Sequence, residues 1–431
     1  MRSSLMGSIT CSRTRSITRV PVRFAATFLI AFRLMHAAPA GAQAAPASTR
    51  PLKQLPPPVA TSEEVFASLA GVRALSNGRV LLNDHTAHRV VLLDEKLATS
   101  QVVADSTSQT NNSYGARPGG LIAFHGDSTL FVDPASLSIL VIDPAGRIAR
   151  VMAVPRPAEA QYMTGGSLGN LAFDTRGALV YRGLARPGPQ PPLQFYAADS
   201  ALVSRLDFAS RKLDTVGFFR IQKSGYSLVR DENSGKILEA VAIVQILPTV
   251  DDWSVMTDGT IAIVRGQDYH VQFVDTAGRV TQADKIPFAW ARVSDAEKRV
   301  WVDSTRARLA RRPPATTGPQ GTPLRVAVAN PSELPDYRPA FEYGGVRSDT
   351  HNRIWVRTSE FAKDGGIIYD VIARTGKRVD RVRVPANASI VAFGPDDAVY
   401  LGVRENNQLR LAKSLIHVAD VAADSATSPQ P

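Results

Sequence analysis

Apolar residues along this chain come in short runs closed by polar turns, and the arrangement repeats. The clearest copy lies between Val72 and Asp94. There, one run leads to Asn77-Gly78, a second closes on Asp84, and a third, after a short polar loop, closes on Asp94. Asn-Gly between two such runs marks a tight hairpin, because both residues accept the positive φ of the turn. The unit predicted is a small antiparallel meander.

The same order of runs and turns recurs around Gly126, Gly177, Gly259, Asn352 and Asp397, so that successive turn markers stand 48, 51, 82, 93 and 45 residues apart. A three- or four-stranded unit of this length cannot bury its faces alone and must stack on neighbours around an axis. The six copies therefore predict an all-β, six-bladed β-propeller. The two long intervals hold insertions, at about 220–252 and 286–341. The second contains Ser294-Asp295-Ala296-Glu297, a capping box, then a basic helical stretch to Arg312 and a breaker at Pro313-Pro314. A helical insertion is thus expected between blades four and five, as a solvated helix resting Val300, Trp301 and Leu309 on the side of the barrel. Either Glu63 to Leu69 or the run near Leu415 to Val418 can supply the strand that closes the ring.

The ends of the chain differ in kind from this repeat. Residues 1–44 begin with five arginines, continue through an apolar core from Phe24 to Phe32 and finish at Ala42-Gln43-Ala44, the pattern of a cleavable signal peptide. Residues 45–62, with Pro56-Pro57-Pro58, read as an extended linker, 63–420 as the propeller and 421–431 as a disordered tail. The net charge of +11 changes meaning accordingly. Removing the segment takes away six arginines and leaves 44 basic against 39 acidic residues, which disfavours nucleic acid as a partner. The single cysteine, Cys11, leaves with it, so the mature chain has no thiol, disulfide or cysteine metal ligand. A periplasmic or secreted monomer without a transmembrane segment is expected.

Asp84-His85-Thr86-Ala87-His88-Arg89-Val90-Val91-Leu92-Leu93-Asp94 resembles the repeat of six-bladed NHL-type propellers, in which an Asp, a variable loop, a His or Asn, an Arg and a strand recur. Secreted bacterial propellers of the NHL-like and TolB-like groups are similar. The resemblance implies a partner-binding protein, while relatives such as lactonases and gluconolactonases imply the alternative of a metal-dependent hydrolase.

Aligning the units on their second strand places Asp84, Asp133, Arg182, Arg265, Arg357 and Arg404 at its end in successive blades. In a propeller these positions surround the mouth of the central channel. The charges either match one another locally, since an unmatched buried charge costs several kcal/mol, or the surplus arginines grip a carboxylate or phosphate with paired hydrogen bonds. The second arrangement predicts a non-enzymatic binding protein for an acidic ligand, peptide or protein, needing no cofactor and no metal.

Other candidates weigh less. His85 and His88 lie on a turn, where that spacing does not align two metal ligands. Gly165-Gly166-Ser167-Leu168-Gly169 matches the GxSxG of hydrolases, but a strand pattern follows where a nucleophile elbow needs a helix. No phosphate loop, HExxH pair or EF-hand loop occurs.

Overall fold

Strand stops are set by the turns between them. Asp143, Asp174 and Asp349 each accept, through one carboxylate oxygen, the backbone N–H groups two and four residues on, at 2.9–3.0 Å. The third residue on takes positive φ in each, as Gly146, Gly177 or Asn352. Such Asx-type turns reverse the chain tightly and let apolar strands pair antiparallel on either side. The repeated aspartates are thereby structural.

The computed structural model describes residues 51–165, 169–185, 199–222, 226–231, 233–234, 236–311 and 323–418. These belong to the unit Pro46–Pro431. The expected signal segment at 1–44, the tail at 421–431 and Ser167 lie outside the described residues.

Two short strands come first, β1 (Lys53–Gln54) and β2 (Ala60–Thr61). Blade one is β3 (Gly71–Ala74), β4 (Val80–Asp84), β5 (Arg89–Leu93) and β6 (Ser100–Asp105), and blade two is β7 (Gly120–Ala123), β8 (Thr129–Asp133), β9 (Ser138–Ile142) and β10 (Ile148–Ala153). Blade three holds β11 (Ala172–Phe173), β12 (Ala178–Ala185), β13 (Ser200–Asp207) and β14 (Leu213–Arg220). After β15 (Tyr226–Arg230) and β16 (Ile237–Val244), blade four runs through β17 (Asp252–Val255), β18 (Ile261–Arg265), β19 (His270–Val274) and β20 (Val280–Gln282). Helix α1 (Asp295–Ala310) and β21 (Leu324–Val328) precede blade five, which is β22 (Phe341–Ser348), β23 (Ile354–Phe361), β24 (Ile367–Ile372) and β25 (Arg378–Val384). Blade six is β26 (Ala388–Phe393), β27 (Ala398–Glu405) and β28 (Gln408–Leu415), completed by β2.

Six buried apolar clusters sit one at each junction between neighbouring blades, from first against second round to sixth against first. Tyr269, Phe273, Val346 and Ile354 fill the junction of blades four and five. Phe66, Leu82, Leu93, Tyr400 and Leu411 fill the closing one. This is the six-bladed, all-β ring expected from the repeat, with burial between blades as its main source of stability.

Closure uses the N-terminal side, slightly upstream of the stretch expected. Ala60 pairs with Lys413 and Thr61 with Ala412, antiparallel, and Phe66 adds a bridge to Leu409. Residues expected as a linker therefore carry strands, because β1 also pairs, in parallel, with β25. Pro56-Pro57-Pro58 lacks the N–H donors that would join these two strands into one.

The insertions do more than protrude. β15 and β16, from the first, and β21, from the second, make a separate three-stranded sheet in which β16 and β21 run parallel. Helix α1 begins at the predicted capping box, where Glu297 N donates to Ser294 Oγ at 3.3 Å and Ser294 N to Glu297 Oε2 at 2.9 Å. Its buried positions are Lys298, Val302 and Thr305, while Val300 is exposed. Val302 packs with Trp301, Ala329 and Leu334 in a seventh cluster. The expected contact through Val300, Trp301 and Leu309 with the barrel's side is thus corrected to a stripe one step round the helix, facing the β21 connection.

Candidate functional site

Five of the six strand-end side chains are engaged by nearby residues of the ring. Asp84 is buried and accepts from Ala67 N at 3.0 Å, from Ser68 N at 2.8 Å and from Ser68 Oγ at 3.0 Å, which clamps the segment entering β3. Asp133, also buried, accepts from Ala135 N at 2.9 Å and from Ser136 N at 3.3 Å. Arg265 Nη1 donates to Asp251 Oδ2 at 2.7 Å and to Phe218 O at 2.8 Å, and Arg357 Nε pairs with Glu342 Oε2 at 3.1 Å. The Arg182 guanidinium lies over the Tyr162 ring at 5.4 Å, and Arg404 is exposed at the end of β27. Two of the four arginines therefore have carboxylates that an alignment of second strands leaves out. Asp251 and Glu342 come from the segments that begin the innermost strands.

The axial wall holds a different cation. The channel encloses a cavity of about 360 Å³ walled by small and apolar residues of the inner strands, with Asn170, Ser254, Ser348 and Arg347 among them. In β22, Val346 is buried in the blade junction and the next residue, Arg347, faces the axis by strand alternation. Its Nε donates to Ile390 O of blade six at 3.2 Å, and its Nη1 to Asn170 Oδ1, ahead of blade three, at 2.9 Å. Asn170 Nδ2 donates in turn to Val346 O. The guanidinium is thus fixed across the channel by two neutral acceptors. Its Nη2 has no protein partner among the described residues, and no carboxylate there lies within ion-pair distance. Burial depresses the Arg347 pKa, with Tyr369 and Asp252 pulling it back up.

A kink in β22 creates this geometry. The register with β23 breaks between Phe341 and Val346, where Gly344 takes φ 76° and a Cβ on Gly345 would meet Glu342 O at 2.8 Å. The kink carries Val346 N to Asp252 Oδ2 at 3.1 Å, and Trp253 N also donates to Asp252, at 2.9 Å. Asp252 is buried, and desolvation pushes its carboxyl up to about 7 despite those donors and the nearby Arg347. A largely neutral acid beside Arg347 leaves the guanidinium charge uncompensated at moderately acidic pH.

Arg347 was readable in one respect. Gly345-Val346-Arg347 repeats the Gly71-Val72-Arg73 of blade one, placing a charge in an otherwise apolar inner strand. The histidines do not compete with it. His85 Nδ1 contacts Ser68 Oγ at 3.0 Å and His88 Nδ1 contacts Gly115 O at 2.9 Å, both as loop ties. Among the described residues no group of three or more His, Cys, Asp or Glu is arranged to hold a metal ion. The charged side chains on the cavity wall are Arg347 and Arg73, which suit an anion and not a divalent cation. No helix among the described residues is long and apolar enough to cross a membrane.

No protein-family model matches the chain, and no curated protein sequence matches it. Among solved structures it is similar to an aldose sugar dehydrogenase from Streptomyces coelicolor, at 11% identity over 84% of this chain and 97% of that one, with a TM-score of 0.40. A gluconolactonase from Xanthomonas campestris matches at 13% identity over 85% and 99%, with a TM-score of 0.37. A streptogramin B lyase matches at 11% over 83% and 86%, with a TM-score of 0.35. Likeness at this level adds nothing to the propeller already read from the strands, and it carries no chemistry across.

Proposed function

We propose that this chain is an extracytoplasmic propeller of the NHL-like or TolB-like kind that binds a small carboxylate- or phosphate-bearing ligand in its axial channel, without catalysis. The observation that carries the reading is Arg347, held by Asn170 Oδ1 and Ile390 O with its remaining nitrogen at a cavity lined by the inner strands of all six blades. A guanidinium pre-positioned by neutral acceptors loses little freedom on gripping an oxyanion. The cavity, at about 360 Å³, is the size of a small-molecule site. A metal-dependent lactonase would instead need carboxylates converging on the axis, where this chain presents guanidinium groups.

The test is calorimetric titration of the mature protein with citrate, gluconate and inorganic phosphate, beside Arg347→Met. We expect salt-sensitive binding of at least one anion, weakened at least about tenfold in the variant, with little change in melting temperature. Absence of binding, or equal binding by the variant, overturns the reading. So does gluconolactone turnover that depends on added calcium or zinc.

A further inference from the structure

A second cation near the channel has no charge partner. Arg182, towards the end of β12, lays its guanidinium over the Tyr162 ring at 5.4 Å and makes no ion pair or hydrogen bond with the described residues. Its Nε is buried without a hydrogen-bond partner. The ring contact steadies the guanidinium without neutralising it. The acids of the surrounding segments are committed elsewhere. Glu159, in the same 3-10 turn as Tyr162 (Pro157–Met163), pairs with Arg156 at 2.7 Å and accepts from Tyr181 Oη. Asp251 holds Arg265 at 2.7 Å, and Glu342 holds Arg357 at 3.1 Å.

Two observations place this cation on the way into the axial cavity. Thr164 and Gly165, which follow the turn that carries Tyr162, are part of the cavity wall. Burial raises the Tyr343 pKa, while Arg182 lowers it and Asp252 raises it, so the Arg182 charge reaches a phenol of blade five. Blade four stands between blades three and five, and their groups meet only over the channel, as Asn170 and Arg347 do. Tyr343 and Arg347 lie four residues apart on β22. That is at most about 13 Å of strand, and the kink shortens it. Two guanidinium groups without a carboxylate partner therefore stand at two levels of one channel. Acid groups joined in one molecule can engage both, because the second contact is then intramolecular. Resting on the anion site already proposed at Arg347, we infer that the ligand is an elongated dianion, with one oxyanion on Arg347, the other on Arg182, and its spacer running past Tyr343.

The experiment is calorimetric titration of the mature protein with succinate, adipate, suberate and sebacate, each beside its monomethyl ester, which keeps the length and loses one charge. Expected is a maximum in affinity along the series, with the diacid at that maximum binding about tenfold or more tighter than its ester. Arg182→Met should bring that diacid down to the affinity of the ester, and Arg182→Lys, which keeps the charge, should retain part of the advantage. Arg347→Met should weaken diacid and ester alike. The ratio of diacid to ester in the unaltered protein reads the second contact even if Arg182→Met fails to fold. Ester binding that depends on Arg347, with no diacid tighter at any length, overturns the inference and leaves the single-anion reading standing. A diacid advantage that survives in Arg182→Met also overturns it. Binding of neither diacid nor ester overturns both.

Discussion

Two inner strands carry the same tripeptide, Gly71-Val72-Arg73 in blade one and Gly345-Val346-Arg347 in blade five, yet their arginines end in opposite states. Arg73 Nη2 pairs with Asp127 Oδ1 at 3.0 Å, and its Nη1 donates to Asp127 O at 3.0 Å and to Thr129 Oγ1. Asp127 is itself anchored by Ser76 N at 2.9 Å and Ser76 Oγ at 2.8 Å. Arg347 meets only the neutral Ile390 O and Asn170 Oδ1. The difference lies in the following blade. The turn before β8 delivers Asp127, whereas in the turn before β27 Asp397 is taken by His417 at 2.9 Å and His351 at 3.7 Å. One sequence therefore makes a structural bolt in one place and leaves a cation without a counter-charge in the other.

Breaking both arginines tests this directly and should give the largest effect. Arg73→Met strands the half-buried Asp127 without its counter-charge and should cost about 3 kcal/mol in urea denaturation. Arg347→Met gives up two hydrogen bonds to neutral acceptors but also removes a half-buried charge that has no counter-ion, so its cost should stay within about 1 kcal/mol. Equal losses would erase the distinction. Next in size is Arg265→Ala, which leaves Asp251 unpaired and should cost about 2 kcal/mol, with no effect on anion binding; a loss of binding with unchanged stability would return the strand-end arginines to the site.

How far the sequence reaches follows from where each partner sits along the chain. Blade number, the Asp-x-x-Gly turns and the Ser294–Glu297 cap are legible because each is written within a few consecutive residues. The strand-end positions were legible as positions, but the carboxylates that engage Arg265 and Arg357 lie on Asp251 and Glu342, outside the aligned strand. The sheet of β15, β16 and β21 was illegible for a related reason. Its parallel pairing joins Ala240–Val244 to Leu324–Val328 across a whole intervening blade, and no local pattern encodes that. Arg347 carried a signal in its charge, but its freedom depends on residues of blade six that engage elsewhere.

Asp252 supplies a subtler separation of the two arginines, through pH. Burial raises its carboxyl from 3.8 to about 7, so the folded chain keeps a proton that the unfolded chain has released. Its contribution to stability is full below the unfolded value and is lost as pH rises towards about 7. In urea denaturation this should appear as a steady decline in stability across that window, absent in Asp252→Asn.

The same titration reaches the ligand. Asp252 is attracted to Arg347 and also influences Tyr343, whereas Arg73 has its own carboxylate in Asp127 and is indifferent to Asp252. Ionisation of Asp252 gives Arg347 the counter-charge it lacks, and an anion in the channel must then compete with that charge. Affinity for citrate or phosphate, corrected for the ligand's own ionisation, should fall about threefold as pH rises through 7. In Asp252→Asn it should stay level. A pH dependence that survives in the variant would mean that another group governs the channel, and that Arg347 is free for a reason other than the neutrality of its neighbour.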